Sequence, residues 1–292
     1  MFDTPKSERV KKVKPIPGVK PLHIIGVDFG KAQDPTAVAY VQAQPVHRLI
    51  HEPTSGHRFI EATMMYSCLD LKREPLGTPY NQVIHRIADR CVRLGSRHGS
   101  FTLAADVVGP GNSAIDFLVP EYHRLAKGTP SYMKPAWIYT VGGSTMASNH
   151  NGIITVGRSV IVHTARAVIE DGRYAVAPLP LRPELQGEMR VFHVKKTAAG
   201  NERYEHYRDS DHDDLLTSAV LLPVWVFENY LMPGVRTKYD PERSTPQHLM
   251  YDPELTAPDP AGYTPRLHEP LPPRPEDEYV PKPAAPGLSS IS

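Results

Sequence analysis

HIIGVDFG, residues 23–30, is a short apolar run that ends in an acid and a glycine, and its reading decides the fold. A run with no polar alternation suits a strand covered on both faces, so it is expected at the centre of a sheet. TAVAYVQAQ (36–44) and FIEATMMYSCLDL (59–71) then read as two further strands. TPYNQVIHRIADRCVRLG (78–95) follows with helical periodicity: Val83, Ile84, Ile87, Cys91 and Leu94 share a face. Thr78 is its expected cap, Pro79 its first residue and Gly95 its stop.

SFTLAADVVG (100–109) repeats the opening pattern, a strand ending in an acid before glycines, and SAIDFLVPEYHRL (113–125) begins with Ser113 and Asp116 at capping-box spacing. PAWIYTVGG (135–143) gives a fifth strand, and SVIVHTARAVIEDGRYAVAP (159–178) a helix, a turn and a strand. MRVFHVKKTAAGNERYEHYR (189–208) reads as a hairpin turning near Gly200. DHDDLLTSAVLLPVWVFENYL (211–231) is apolar nearly all round after its acidic start, which predicts a helix packed on the sheet and kinked at Pro223. The class expected is α/β, a mixed five-stranded sheet flanked by helices.

The ends of the chain differ in composition. Residues 1–20 carry Lys11, Lys12, Lys14 and Lys20 without apolar periodicity and read as a basic flexible arm. Residues 233–292 are proline-rich and poor in aliphatics, which predicts a disordered or extended tail. The folded domain is expected over 21–232. Cys68 and Cys91 lack zinc-site spacing and read as reduced core residues. No signal-peptide pattern opens the chain and no apolar run is long enough to span a bilayer, which points to a cytoplasmic setting without a membrane partner. A formal net charge of +1 gives no global pull on nucleic acid, so a polyanion would need a local basic patch or metal ions.

The chemistry is carried by where the acids fall. Asp28 ends the first strand, Asp106 ends the fourth, and Asp213 and Asp214 open the last helix. Such ends can meet in one crevice of an α/β sheet. Crowded carboxylates repel unless a cation neutralises them, and oxygen-only donors favour Mg2+ or Mn2+. Two ions about 4 Å apart would hydrolyse a phosphodiester without a protein nucleophile. The bland alternative makes these acids turn residues and helix-end charges. Neighbouring helical positions point about 100° apart, and Asp214 shares a face with Thr217 and Ser218, which favours it over Asp213 as ligand.

Lesser candidates surround them. His212 could orient a water or a phosphate, or be an exposed histidine beside a helix start; Asp34, before Pro35, reads as a turn residue or as support for the acids. Lys31 lies close enough to the first acid to meet a phosphate, and Lys195, Lys196 and Arg203 across the hairpin form the candidate DNA-gripping ridge, although an ordinary exposed hairpin has the same look.

GVDFGKAQDPTAVAYV (26–41), AADVVGPGNSAIDFL (104–118) and HDDLLTSAVLL (212–222), with VIEDGRYAVAP (168–178) and LQGEMRVFHV (185–194) between the last two, resemble in order the nuclease domain of phage terminase large subunits, a ribonuclease-H-like fold. The resemblance covers roughly 20–230 and implies that Asp28, Asp106 and the Asp213/Asp214 pair bind metal and cut concatemeric viral double-stranded DNA. A complete large subunit also has an ATPase with a Walker A loop, and no such motif occurs in this sequence. The resemblance therefore implies a separate terminase ATPase subunit, with a small terminase subunit or portal as further partners. Holliday-junction resolvases and DDE-type recombinases use the same carboxylate arrangement. IIGVDFG with DVVGPG also resembles the phosphate loops of actin-like ATPases, and a non-catalytic packaging assembly factor is the remaining alternative.

Overall fold

Gly26 has no side chain, and the fold uses that absence. In the computed structural model, which describes residues 10–30, 34–51, 58–143, 147–196, 202–205 and 212–231, a Cβ on Gly26 would lie 1.9 Å from the carbonyl oxygen of Ser218. The final helix thus rests backbone to backbone on the central strand.

That strand, β2 (Leu22–Asp28), pairs antiparallel with β3 (Ala37–His51) and parallel with β5 (Ser100–Asp106). β3 pairs antiparallel with β4 (Arg58–Arg73), and β5 parallel with β6 (Tyr132–Val141). The order β4-β3-β2-β5-β6 is the mixed five-stranded sheet expected from the sequence. It is larger than expected: among the described residues nine strands join it. β7 (Ser148–His150) and β8 (Ile153–Gly157) extend it beyond β6, and β9 (Tyr174–Val176) lies parallel to β4.

The ninth strand corrects one expectation. Part of the basic stretch read as an arm is β1 (Val10–Pro15), antiparallel to the outer half of β3. β3 is 15 residues long, and β1 and β2 occupy one of its edges end to end. Lysines and a proline are tolerated there because an edge strand leaves one side of its backbone unpaired.

Both faces of the sheet are covered. Ile25, Val27, Leu103 and Ala105 pack under α1 (Tyr80–His98) and α2 (Pro110–Leu125). Ile24, Ala104 and Ile138 pack on the other face against α3 (Arg158–Glu170), α4 (Arg182–Val191) and the final helix. Burial on both faces explains the unbroken apolar run of β2. Cys68 and Cys91 are free and buried, one in each core.

Several helix boundaries move. α1 starts at Tyr80 after Pro79, and the Thr78 hydroxyl donates to Pro75 rather than capping. It also runs past Gly95 to His98 and stops at Gly99, whose φ of 81° is left-handed. Gly95 instead makes room for Ser131, whose Oγ lies 1.7 Å from where a Cβ would be. α2 begins at Pro110, so Ser113 lies inside it and makes no capping box.

The final helix runs without a break from α5 (Asp214–Leu216) through a π-helical stretch, Thr217–Leu221, then α6 (Leu222–Val226) and a second π-helical stretch, Phe227–Leu231. The expected disturbance at Pro223 takes this form: with no N–H on Pro223, the register widens around it. The Tyr174 hydroxyl donates to the Ala219 carbonyl, the acceptor that an α-helical N–H at position 223 would have served. Near the helix end Glu228 accepts from Arg173, at 2.5 Å, and from the Tyr66 hydroxyl, at 2.6 Å. Arg173 also bonds Asp171, which Arg48 holds as well.

β10 (His193–Lys196) and β11 (Glu202–Glu205) form the expected hairpin, with Lys195 opposite Arg203 and Lys196 opposite Glu202. Residues 1–9 and the tail 233–292 lie outside the described residues. Among those described, no helix is long and apolar enough to cross a membrane.

Replacing Gly26 with Ala forces the helix off the sheet because the obstructing atom is backbone, which cannot swing aside. The expected cost is about 3 kcal/mol, at the upper end for overpacking. Urea unfolding measures it, and a midpoint equal to that of the parent would refute the close approach.

Candidate active site

Side-chain alternation along β2 and β5 decides where the first two acids point. Ile25 and Val27 face α1 and Gly26 faces the final helix, so Asp28 points to the final-helix side; Ala104 and Ala105 make the same assignment for Asp106. The two residues are register partners on adjacent parallel strands. Strand spacing then sets their backbones about 4.8 Å apart.

Each is held differently. The Asp106 Oδ1 accepts the Val108 N–H at 2.9 Å, closing the turn into α2, and Oδ2 accepts the Thr140 hydroxyl at 2.9 Å. A Cβ on Gly111 would lie 2.1 Å from the Asp106 carbonyl, so α2 starts hard against the strand end. Asp28 is half-buried at its surface yet so closely surrounded that burial, first, pushes its carboxyl well above the usual range. Repulsion from Asp106, Asp213 and Asp214 adds to this, and Arg158 opposes it. Asp106 is raised for the same first reason, offset by the Val108 and Thr140 hydrogen bonds and by Arg158, with Asp213 raising it.

The contact at Gly26 carries the helix start over these strand ends. Asp213 precedes α5 and Asp214 is its first residue, and the Thr217 N–H donates to the Asp213 carbonyl at 2.7 Å. Arg73, the last residue of β4, grips both Asp214 oxygens, Nε at 2.8 Å and Nη2 at 2.9 Å. The same Nη2 donates to Glu188 of α4, whose other oxygen accepts the Leu216 N–H at 2.8 Å. Glu188 thereby caps the final helix from outside. Asp213 pairs instead with Arg158.

Among the described residues, no group of three His, Cys, Asp or Glu side chains already converges as a metal-binding cluster. The two arginines occupy the carboxylates of the helix start, doing electrostatically what a cation would do. Burial raises the carboxyls of Asp28, Asp106 and Asp214 alike.

Asp106, Asp213 and Asp214 lie close enough to Asp28 for their charges to act on it, and the last two take different arginines. The sequence favours Asp214; here both its oxygens serve Arg73, and Asp213 weighs more than Asp214 on Asp28 and also acts on Asp106. His212 and Asp34 face each other at the rim, 3.8 Å apart, and His212 lowers the Asp214 carboxyl. Lys31 lies outside the described residues, as do the side chains of Lys195, Lys196 and Arg203. Arg73, Arg158, Glu188 and Thr140 were not singled out by the sequence, because each is one polar residue in an otherwise ordinary strand or helix.

No protein-family model and no curated protein sequence matches the chain. Solved structures do. The chain is similar in fold to terminase nuclease domains. The large terminase nuclease of the thermophilic phage G20c, with bound magnesium, aligns over 71% of this chain and 82% of that one, at 20% identity and a TM-score of 0.40. The human cytomegalovirus terminase nuclease domain, soaked with manganese, aligns over 70% and 83%, at 12% identity and 0.42. RuvC of Thermus thermophilus aligns over 70% and 95%, at 10% identity and 0.26.

Burial pushes Glu188 up to about 8, from an ordinary 4.5, with Asp214 and Asp213 adding to it against the Leu216 N–H and Arg73. The folded chain therefore keeps a proton that the unfolded chain releases between those values, and stability falls as pH rises through that window. Asp28, Asp106 and Asp214 shift in the same direction. Melting in chelator should occur at lower temperature at pH 8 than at pH 5, with a smaller drop in Glu188→Gln. An unchanged drop in that variant rejects the assignment to Glu188.

Proposed function

We propose that this chain is a divalent-metal-dependent DNA endonuclease of the terminase large-subunit type. The observation that carries the proposal is the pairing of Asp28 with Asp106 on adjacent strand ends, under a helix that brings Asp213 to the same face. Asp28, Asp106 and Asp213 would hold Mg2+ or Mn2+, and their carboxylate oxygens, completed by water, could serve two ions. When bound, such ions supply an activated water and stabilise the leaving oxygen of a phosphodiester.

The protein's part is to keep the acids in place against their mutual repulsion. Thr140 and the Val108 N–H fix the Asp106 rotamer. Arg73 and Glu188 anchor Asp214 and the helix start, which keeps Asp213 near enough for its charge to act on Asp28, with the helix approach set by the Gly26 contact. Asp214 is then a positioning residue rather than a ligand, with His212 and Asp34 at the rim. The substrate in this reading is double-stranded viral DNA cut from concatemers during genome packaging, in the host cytoplasm. ATP hydrolysis would come from a terminase ATPase outside this sequence, with the small subunit or portal completing the assembly.

Asp28→Asn and Asp106→Asn should each lower Mn2+-dependent nicking of supercoiled plasmid by at least about 100-fold, given the scale on which removing one stabilising group acts. Both should melt no earlier than the parent, since each removes a destabilising charge. Cleavage at the parent rate by either variant would overturn the mechanism, and cutting confined to branched DNA would replace the terminase reading with a junction resolvase.

A further inference from the structure

Arg158 acts on three of the four acids, Asp28, Asp106 and Asp213, and it uses little of its bonding capacity. It is the first residue of α3, directly after Gly157, which pairs with Val141 at the end of β6. In that register Thr140, the partner of Asp106, lies opposite Val156, two residues before Arg158. It lowers the carboxyls of both Asp28 and Asp106 and makes a direct ion pair with Asp213.

A guanidinium has five N–H donors. Arg73 spends its own on two carboxylates in three hydrogen bonds. Among the described residues Arg158 makes one side-chain hydrogen bond, through Nη2, and its Nε is buried with no acceptor. Its guanidinium carbon lies 5.7 Å from the centre of the Phe192 ring, so an aromatic face supports the group. The side chain is 37% exposed, against 26% for Arg73. A supported, partly exposed and under-used guanidinium beside four acids is built for an incoming oxyanion, and the planar fork fits a phosphate better than any other group the proposed reaction supplies. DNA approaching four carboxylates also needs a nearby positive charge.

We propose that Arg158 grips the scissile phosphate. Its fork donates to a non-bridging phosphate oxygen when the acids take their cations and Asp213 no longer needs a guanidinium partner. The inference rests on the nuclease reading above. It makes the Arg158–Asp213 pair an exchangeable contact, in contrast to the fixed Arg73–Asp214 pair.

The test compares Arg158→Gln and Arg158→Lys with the parent as full-length proteins. Two quantities are read: the rise in melting temperature on Mn2+ titration, and the kcat and KM of plasmid nicking. The expected result is that Arg158→Gln keeps the Mn2+-induced rise, at equal or lower Mn2+ concentration because Asp213 loses its guanidinium contact, while kcat/KM falls by about 100-fold. Arg158→Lys, which keeps the charge without the fork, should recover part of that loss and guards against misfolding of the glutamine variant. The inference is overturned if Arg158→Gln cuts at the parent rate, or if its loss of cutting is matched by loss of the Mn2+ response, which would make Arg158 only an organiser of the acids. A parent protein that shows the Mn2+ response yet cuts no DNA removes the nuclease reading and this inference together, an outcome distinct from failure of the variants alone.

Discussion

The backbone contact between Gly26 and Ser218 is the constraint on which the site depends. A side chain at position 26 would stand where the helix has to lie, and the helix start would no longer reach the ends of β2 and β5. The apolar residues on either side of Gly26 provide the burial that holds the strand central, and the glycine sets how closely the helix can approach. Pro223 belongs to the same contact, because its ring also borders the space above Gly26. The widened helical register around that proline is the form in which the chain accommodates both.

Four acids in one crevice work against folding unless something offsets them, and the chain uses three kinds of partner. Backbone and hydroxyl donors satisfy Asp106 without neutralising it. Arg73 and Glu188 tie Asp214 into a buried network that also satisfies a helix N–H. Arg158 answers Asp213 at the surface of the site. The first two arrangements are well bonded and low in exposure, as expected of supports, whereas the third leaves donors unused.

How much of this could be read from the residues follows from how local each signal is. Asp28 and Asp106 were legible because each terminates a strand whose burial on both faces leaves a distinctive apolar run. The final helix was legible by its apolar surface, though not its register, since the departure from an α-helix arises from a tertiary contact. Asp214 was favoured over Asp213 from helical faces alone; that its oxygens are held by Arg73, 141 positions away in sequence, no local pattern could show. Glycine was the most ambiguous residue: Gly95 looks like a helix stop but serves a close contact with Ser131, while the true stop is Gly99. β1 was hidden by composition, because an exposed edge strand and a solvated arm tolerate the same lysines.

The final helix is fastened near both ends by arginines on strands or turns at the same side of the sheet, Arg73 to Asp214 and Arg173 to Glu228. Mechanically it is a beam clamped at two points and seated along its length on β2. It can neither roll nor lift without breaking a charged contact at one end, so it is ill suited to act as a moving jaw. The helix is therefore a fixed wall of the crevice at the strand ends, and the geometry of that crevice is set before anything enters it.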